Sequence, residues 1–496
     1  MSQLINVARP ARWFYLFLFV HVFCWTMAPA LVRFTLPMDA MEGTVWGREL
    51  QWGYDKNPFM NGWLTELAVR LTGYSDWGVY LFSQLSVAIC FWAVWQLGKK
   101  MLPPLYALVA VFLLEGVQYY NLHAIDFNDN TLELSTWALT TLFFYQALRE
   151  QKKQDWILTG LFAGLAMMTK YYTVVLLLPM AFLLLADRRG RQQFKRAPIY
   201  YGLFTFFVII TPHFIWLTQN NFVTVQYAFD RVASPPDWLN HFFYPAQFAW
   251  QQLEVFLPAL FLLAFLFIGK KTSLIQPQIK INEFDKQFLL YVGLGPIFLT
   301  IFLSAVTGIK LRAGWGQPLL SLWGIIAIFW LQPNITPQKF YRFVVVLFSL
   351  LALMVAGYCI ALIRADEPSS ANFPGKKIAA VLTQAWHEKY KTPLFYVGGS
   401  RWLSGNIAFY STDRPSVYID WNKRISPWVD ETKLKREGAI FVWDPSEELL
   451  PAPKEIQARF PTLKKPELMR FEWLRNKNSA PVEILVAFLP PEKAGI

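Results

Sequence analysis

The sequence predicts an all-α polytopic membrane domain of about 11 transmembrane helices, up to roughly 13, followed by a small α/β domain outside the membrane. Three observations carry this reading. The 496 residues are 55% hydrophobic and only 16% charged, against about 25% charged in an ordinary soluble chain. The 22 Trp and 43 Phe are an excess that suits lipid-facing surfaces and interfacial belts. Lys and Arg also fall on alternate loops between apolar runs, the asymmetry that orients a membrane protein.

A hydrocarbon core needs spans of about 17–25 residues. Such runs lie near 13–31, 79–97, 102–119, 131–148, 155–169, 171–186, 198–217, 251–269, 287–306, 315–331 and 343–363. The first lacks a small-residue cleavage pattern and reads as a retained helix, not a removed signal peptide. The fifth and sixth are short and nearly continuous around Lys170, which leaves the count open. With the N-terminus inside, the inward loops carry Lys99 and Lys100; Arg149, Lys152 and Lys153; Arg188, Arg189, Arg191, Lys195 and Arg196; Lys270, Lys271, Lys280 and Lys286; and Lys339 and Arg342. The outward loop 120–130 has no Lys or Arg, and 218–250 has only Arg231. This bias explains most of the net charge of +12 without a nucleic-acid partner. Membrane lipids are the expected surroundings.

Residues 1–363 thus form the membrane domain and 364–496 a separate outward domain. In the latter, Ile378, Val381, Leu382, Ala385 and Trp386 share one face of a helix over Lys376–Tyr390. Short apolar runs at 394–397, 417–419, 440–443 and 484–489 read as strands. Cys24, Cys90 and Cys359 all sit in apolar runs, so neither a disulfide framework nor a cysteine-rich metal site is offered.

Chemistry is expected where ionisable residues meet the outer ends of the helices, because carboxylates there are costly to place and tend to mark sites. Four clusters qualify: Asp39, Glu42, Asp55 and Lys56 in the first outer loop; Asp126, Asn128 and Asp129 before the fourth span, with Glu133 one turn inside; Lys170 between two apolar runs; and Lys310 with Arg312 before the tenth. Carboxylates serve as general bases or orient a hydroxyl, and cations hold a phosphate and stabilise it as it leaves. Together they suit group transfer from a lipid-linked phosphate. Each residue also has a plainer reading. Asp39 and Glu42 suit a solvated loop, and Lys170 suits a snorkelling anchor. His213 in Thr211-Pro212-His213 suits either a divalent metal, shared with an acid of the first loop, or a simple hydrogen bond. Gly398-Gly399-Ser400 lacks nucleophile-elbow spacing and reads as a turn. Phosphate-loop and dinucleotide fingerprints are absent, which argues against a soluble nucleotide donor.

At these residues the sequence resembles the bacterial membrane glycosyltransferases of the GT-C class. The similar groups are the family-39-like enzymes: protein O-mannosyltransferases, lipid A aminoarabinose transferases and lipopolysaccharide-core galacturonosyltransferases. Asp39-Ala-Met-Glu42 stands where these families place an Asp-Glu-containing motif. Asp55-Lys56-Asn57-Pro58-Phe59 stands where they carry an acidic residue, a basic or polar one and Pro-Pro-Leu; Asn57-Pro58-Phe59 is a departure from that. Asp129 matches a single Asp opening the fourth span, and Gly160 to Lys170 matches a Gly-x-x-x-Gly-x-x-x-x-x-Lys stretch. The segment Tyr396–Asn406, with Asp413-Arg414-Pro415, resembles the periplasmic tail of one bacterial branch.

The resemblance implies a GT-C enzyme of the bacterial inner membrane with its active site and tail facing the periplasm. Its donor would be a polyprenyl-phosphate sugar and its acceptor a lipid or glycan of the envelope, or a protein. Asp39, Glu42 and Asp129 would be catalytic. Lys56, Lys170, Lys310 and Arg312 would bind the donor phosphate, with Asp55, Asp126 and His213 in support. No cofactor is required by this reading, and a divalent metal stays open. The rival is a transporter or flippase of lipid-linked sugars, but transporters place ionisable or broken sites near mid-membrane in paired halves. Here they gather at one face.

Overall fold

The computed structural model describes residues 9–233, 235, 237–268, 282–445, 453–476 and 478–492. Helix α1 (Pro10–Val32) opens the chain, with Pro10 at its first position. Helices α2 (Met38–Glu49) and α3 (Met60–Leu71) then fold against each other before α4 (Asp76–Met101) runs the length of the bundle. At 26 residues, α4 is about 39 Å long. Helix α5 (Pro104–Phe112) passes through short 3₁₀ turns that bend by 85° between Gly116 and Gln118 and end at Ile125.

The side chain of Asn128 accepts from Thr131 N at 3.1 Å and caps α6 (Asp129–Glu150). There follow α7 (Lys153–Thr169), α8 (Val174–Ala186), α9 (Arg188–Gln193), α10 (Ala197–Gln219), α11 (Val223–Val232) and α12 (Asn240–Phe265). Helix α13 (Glu283–Phe288) continues through a π-helical turn into α14 (Gly295–Thr307). The 3₁₀ turns over Ala313–Leu320 meet α15 (Trp323–Leu331) at 54°, and α16 (Pro337–Ile363) closes the bundle.

Helices stand at all the expected spans, but they are not equal. Among the described residues six are long and apolar enough to cross a membrane, or eight if each bent pair counts once. The expected span 131–148 falls in α6, which buries Glu133, Thr136, Thr140 and Thr141. Spans 155–169 and 171–186 became α7 of 17 residues and a shorter apolar stretch, Tyr171–Ala186. The expected count of about 11 spans is therefore not confirmed by length and composition. The physical reason is that this part of the bundle packs against protein and carries polar groups.

Close approach is built into α7. A Cβ on Gly160 would lie 1.9 Å from Gly202 O on α10, and one on Gly164 would lie 2.8 Å from Ile209 Cβ. Small residues let two backbones touch, which is how helices associate in lipid. A buried polar knot ties α1 to the bent segment. His21 Nδ1 lies 2.6 Å from Glu115 Oε2, Trp25 Nε1 donates to Glu115 Oε1 at 3.2 Å, and His21 Nε2 meets Gln84 Oε1 at 3.1 Å.

The second unit contains α17 (Gly375–Tyr390), β1 (Tyr396–Gly399), α18 (Arg401–Tyr410), β2 (Ser416–Ile419), α19 (Glu431–Glu437), β3 (Ala439–Trp443), α20 (Pro453–Arg459), β4 (Glu467–Phe471) and β5 (Val482–Leu489). The sheet order is β2-β1-β3-β5-β4, with β1 parallel to β2 and β3, and β5 antiparallel to β3 and β4. β1, β2 and β3 are buried along their whole length, as strands covered on both faces should be.

This unit docks on α2, α3 and the start of α4. Arg414 forks onto Glu66 at 3.1 and 3.3 Å, Lys376 Nζ is 2.7 Å from Asp76, and the Tyr410 hydroxyl donates to Asp76 at 2.9 Å. The other end of α4 is basic: Lys100 pairs with Glu150, and Arg149 donates to the Lys100 carbonyl. Lys270, Lys271 and Lys280 lie outside the described residues.

Candidate functional site

The end of the bundle beneath the docked unit holds a cleft of about 370 Å³. It is built from segments far apart in sequence: α2, the turn before α3, the start of α6, the α7–α8 junction, α11 and the segment with 3₁₀ turns leading to α15. Its ionisable lining is three carboxylates, Asp39, Glu42 and Asp129, and four cations, Lys56, Lys170, Arg231 and Arg312. Trp46, Tyr171, Tyr172, Tyr227 and Trp315 supply aromatic walls.

Pro37 stops the backbone before α2, which starts one residue ahead of Asp39. Asp39 Oδ2 accepts from Asn128 Nδ2 at 3.1 Å. Behind it, Asp126 Oδ1 accepts from Ala40 N at 2.8 Å, so one carboxylate closes the helix end while the other lines the cleft. Burial raises Asp39, and the neighbouring Asp129 carboxylate adds to that rise. Burial, then Asp39, pushes Asp126 up to about 7.

The turn carrying Asp55 and Lys56 is closed by Tyr54 N donating to Asn57 O at 2.9 Å. At its tip the two side chains part. Lys56 Nζ sits 2.8 Å from Glu42 Oε1, facing the cleft. Asp55 is buried and takes both guanidinium nitrogens of Arg401, at 3.0 Å from Nη1 and closer from Nη2. Arg401 Nη1 also lies 2.7 Å from Glu42 Oε1. Burial raises Glu42, against the pull of Arg401 and Lys56. Arg401 stays firmly charged, because Glu42 and Asp55 outweigh the cost of burying it.

On the facing wall, Lys170 caps the end of α7 and reaches Asp129 Oδ2 at 2.8 Å and Asn130 Oδ1. Its ammonium stands 5.5 Å from the centre of the Trp315 ring. Beneath it Glu133 is fully buried; Oε1 accepts from Thr173 at 3.3 Å and Oε2 has no partner. Two contrasts organise the cleft. Asp39 is its one carboxylate outside an ion pair among the described residues, and Arg231 and Arg312 are its two cations outside one.

The sequence-derived candidates therefore divide. Asp39, Glu42, Lys56, Asp129, Lys170 and Arg312 meet in one cleft. Asp55 and Asp126 lie directly behind it. Lys310 is exposed and lies outside the lining, two residues before Arg312, which lines the cleft. His213 departs from the metal reading. Its Nδ1 donates to the Trp52 carbonyl at 2.7 Å and its Nε2 accepts from the Tyr171 hydroxyl at 2.5 Å, which leaves no ring nitrogen for a ligand. Among the described residues no three His, Cys, Asp or Glu side chains converge as a metal cage, so the donor set does not fit a dedicated ion.

Two residues were missed. Arg231 was counted as the lone cation of its outer loop, and that rarity was the available signal. Arg401 stands 346 positions from Asp55, and no local pattern links them. The Gly398-Gly399-Ser400 turn is a strand-to-helix junction, in which Ser400 accepts from Leu403 N at 3.4 Å and starts the helix that Arg401 opens.

Comparison with known proteins bears on the same region. The family described as Dolichyl-phosphate-mannose-protein mannosyltransferase matches residues 56–216. A curated relative, the lipopolysaccharide core galacturonosyltransferase RgtA of Rhizobium johnstonii, is 22% identical over 189 residues. That match covers 38% of this chain and only 38% of the relative's own length. Among solved structures, ArnT from Cupriavidus metallidurans, bound to undecaprenyl phosphate and in the apo state, is similar with a TM-score of 0.59 in both cases. The likeness spans 99% of this chain and 100% of ArnT at 13% identity, and so speaks to the fold. Taken together, the matched family, the relative and the full-length fold support a likeness to the GT-C membrane glycosyltransferases.

Proposed function

We propose that the chain transfers a sugar from a polyprenyl-phosphate donor to an acceptor at the periplasmic face of a bacterial inner membrane, with inversion at the anomeric carbon. The acceptor class is lipid A, lipopolysaccharide or another envelope glycan or protein. The observation that carries this reading is the pairing pattern: among the described residues one carboxylate outside an ion pair, Asp39, shares a cleft with two guanidiniums outside one, Arg231 and Arg312. The basic loops at the opposite end of α4 support the orientation.

In this mechanism the lipid-linked sugar enters from the bilayer with its phosphodiester among Arg231, Arg312, Lys56 and Lys170. The acceptor hydroxyl approaches the anomeric carbon from the Asp39 side. Asp39 takes the hydroxyl proton as the new C–O bond forms and the bond from carbon to the phosphate oxygen breaks. The departing polyprenyl phosphate gains one negative charge. Cations at that oxygen therefore bind the transition state more tightly than the ground state, which is what raises kcat. Asn128 orients Asp39, and its raised basicity suits proton abstraction. Asp129 and Glu42 hold Lys170 and Lys56 in place. Trp315, Tyr172 and Tyr227 offer faces for the sugar. Lys310 has no assigned contact.

The test is transfer by the purified protein in vesicles carrying an undecaprenyl-phosphate-linked sugar. Asp39→Asn should cost about 10²–10⁴-fold in kcat. Arg231→Ala or Arg312→Ala should raise KM for the donor about tenfold or more. Near-normal turnover in a well-folded Asp39→Asn protein would remove Asp39 from the mechanism. A flippase would instead move the intact donor across the bilayer without releasing polyprenyl phosphate. Mass spectrometry of lipid A and core from cells lacking the chain would identify a lipopolysaccharide acceptor, and an unchanged profile would point to protein or another polymer.

A further inference from the structure

We propose that Arg401, delivered by the docked α/β unit, is a positioning residue that frees Lys56 to engage an anionic lipid phosphate, so that the active centre is complete only with this unit in place. This rests on the reading of the cleft as a lipid-phosphate site.

The argument starts from one oxygen. Glu42 Oε1 is shared by Lys56 at 2.8 Å and Arg401 at 2.7 Å. Arg401 simultaneously forks onto Asp55, a bidentate geometry that only a guanidinium matches. Two cations thus face two buried carboxylates, with Asp420 a further carboxylate close to Arg401. Without Arg401, Lys56 alone would face Glu42, Asp55 and Asp420, and this corner would become more negative by one charge. Lysine would be held on the carboxylates, and an incoming phosphate would be repelled. With Arg401 present, Lys56 leaves Glu42 without stranding it, because the guanidinium stays. A buried carboxylate left alone would cost far more. Lys56 lines the cleft on a flexible stem, whereas Arg401 is mostly buried behind it.

Arg401 is also rigidly supplied. It opens α18 directly after β1, where Ser400 caps the helix. The unit is pinned by Arg414 on Glu66, by Lys376 and Tyr410 on Asp76, and by Ser416 on Glu49 at 2.7 Å. Its docking therefore sets the charge of the cleft.

The experiment uses the full-length protein with Arg401→Gln, Arg401→Lys and the double variant Arg401→Gln/Asp55→Asn. Binding of undecaprenyl phosphate is measured together with the rate of Lys56 reductive methylation without lipid. Arg401→Gln should weaken binding about tenfold, raising KM more than it lowers kcat, and should slow Lys56 methylation. Arg401→Lys, keeping the charge without the fork, should fall between. The double variant removes one charge of each sign and should recover binding to within about threefold of wild type. A merely structural role gives no such recovery, since the double variant lacks both partners. Wild-type binding by Arg401→Gln, or a double variant as weak as the single, would overturn the proposal. If wild type itself fails to bind the lipid while Arg401→Gln still slows methylation, the lipid-phosphate reading falls and the charge-setting role of Arg401 stands. Unchanged methylation in Arg401→Gln would remove that role.

Discussion

A methyl group at position 160 is a sharp test of how the bundle positions Lys170. The Cβ of Gly160→Ala would lie 1.9 Å from Gly202 O and 2.7 Å from Gly202 C, against 3.4 Å for ordinary contact. The obstacle is backbone, so no side-chain rotation relieves it, and α7 and α10 must part by about 1.5 Å. Overpacking of this kind costs about 1–3 kcal/mol. The displacement also has a lever. Lys170 is ten residues further along α7, about 15 Å by helical rise, and α10 carries His213, which holds Tyr171 at the same junction. Misplacing a contact such as the 2.8 Å Lys170–Asp129 pair by 1 Å costs on the order of 10² in rate. The assay is thermal unfolding of the detergent-purified protein together with kcat/KM for transfer. Gly160→Ala should lose in both. Gly357→Ala, whose Cβ meets nothing within 4 Å, should melt at or above wild type, since Ala is the better helix former. Gly160→Ala behaving like wild type in both assays, or Gly357→Ala falling equally, would refute the packing argument.

Two further outcomes follow from the site's surroundings. Asp126 is raised to about 7 in the folded protein, above the ordinary carboxyl value of about 3.9. The folded state therefore holds a proton that the unfolded state has lost, so stability from this group is full below about pH 4 and is lost as pH rises through about 7. Asp126→Asn should flatten the unfolding midpoint between pH 5 and 7.5; an unchanged profile would count against the assignment. Arg414→Met should destabilise the docked unit by about 3 kcal/mol or less, because it strips the fork from buried Glu66 while Arg70 still holds Glu66 Oε1 at 2.7 Å. Thermal unfolding and limited proteolysis of the 364–496 unit would read this, and a midpoint equal to wild type would exclude it.

What could be read from the sequence followed from locality. Hydrophobic runs, charge bias and turn residues placed the helices, and three of the five strands overlap closely with the runs picked out. Strand β4 was missed because its pattern is mostly exposed. Helix α18 was missed because its apolar positions sit within a Gly- and Ser-punctuated stretch. At the site, Asp39, Asp129 and Lys170 were visible because each is an ionisable residue at the mouth of an apolar run. What was not visible is who pairs with whom. Glu42 was read as catalytic, yet it carries two cations. Lys310 looked equivalent to Arg312, and only Arg312 lines the cleft. Such choices depend on three-dimensional neighbours, and Arg401 shows how distant these can be.

The His21–Glu115 knot implies an order of events during synthesis. His21 enters the bilayer on the first helix, whereas its carboxylate partner is 94 residues away in sequence. At roughly 5–20 residues per second, about 5–20 s separate their emergence. Over that interval His21 sits on the first helix without its carboxylate partner. Glu115 then arrives beside the His21 ring and the Trp25 N–H. The first helix is thereby a template that captures the fifth, and the capture fixes the bend from which Asp126 reaches Ala40 N and Asn128 reaches Asp39.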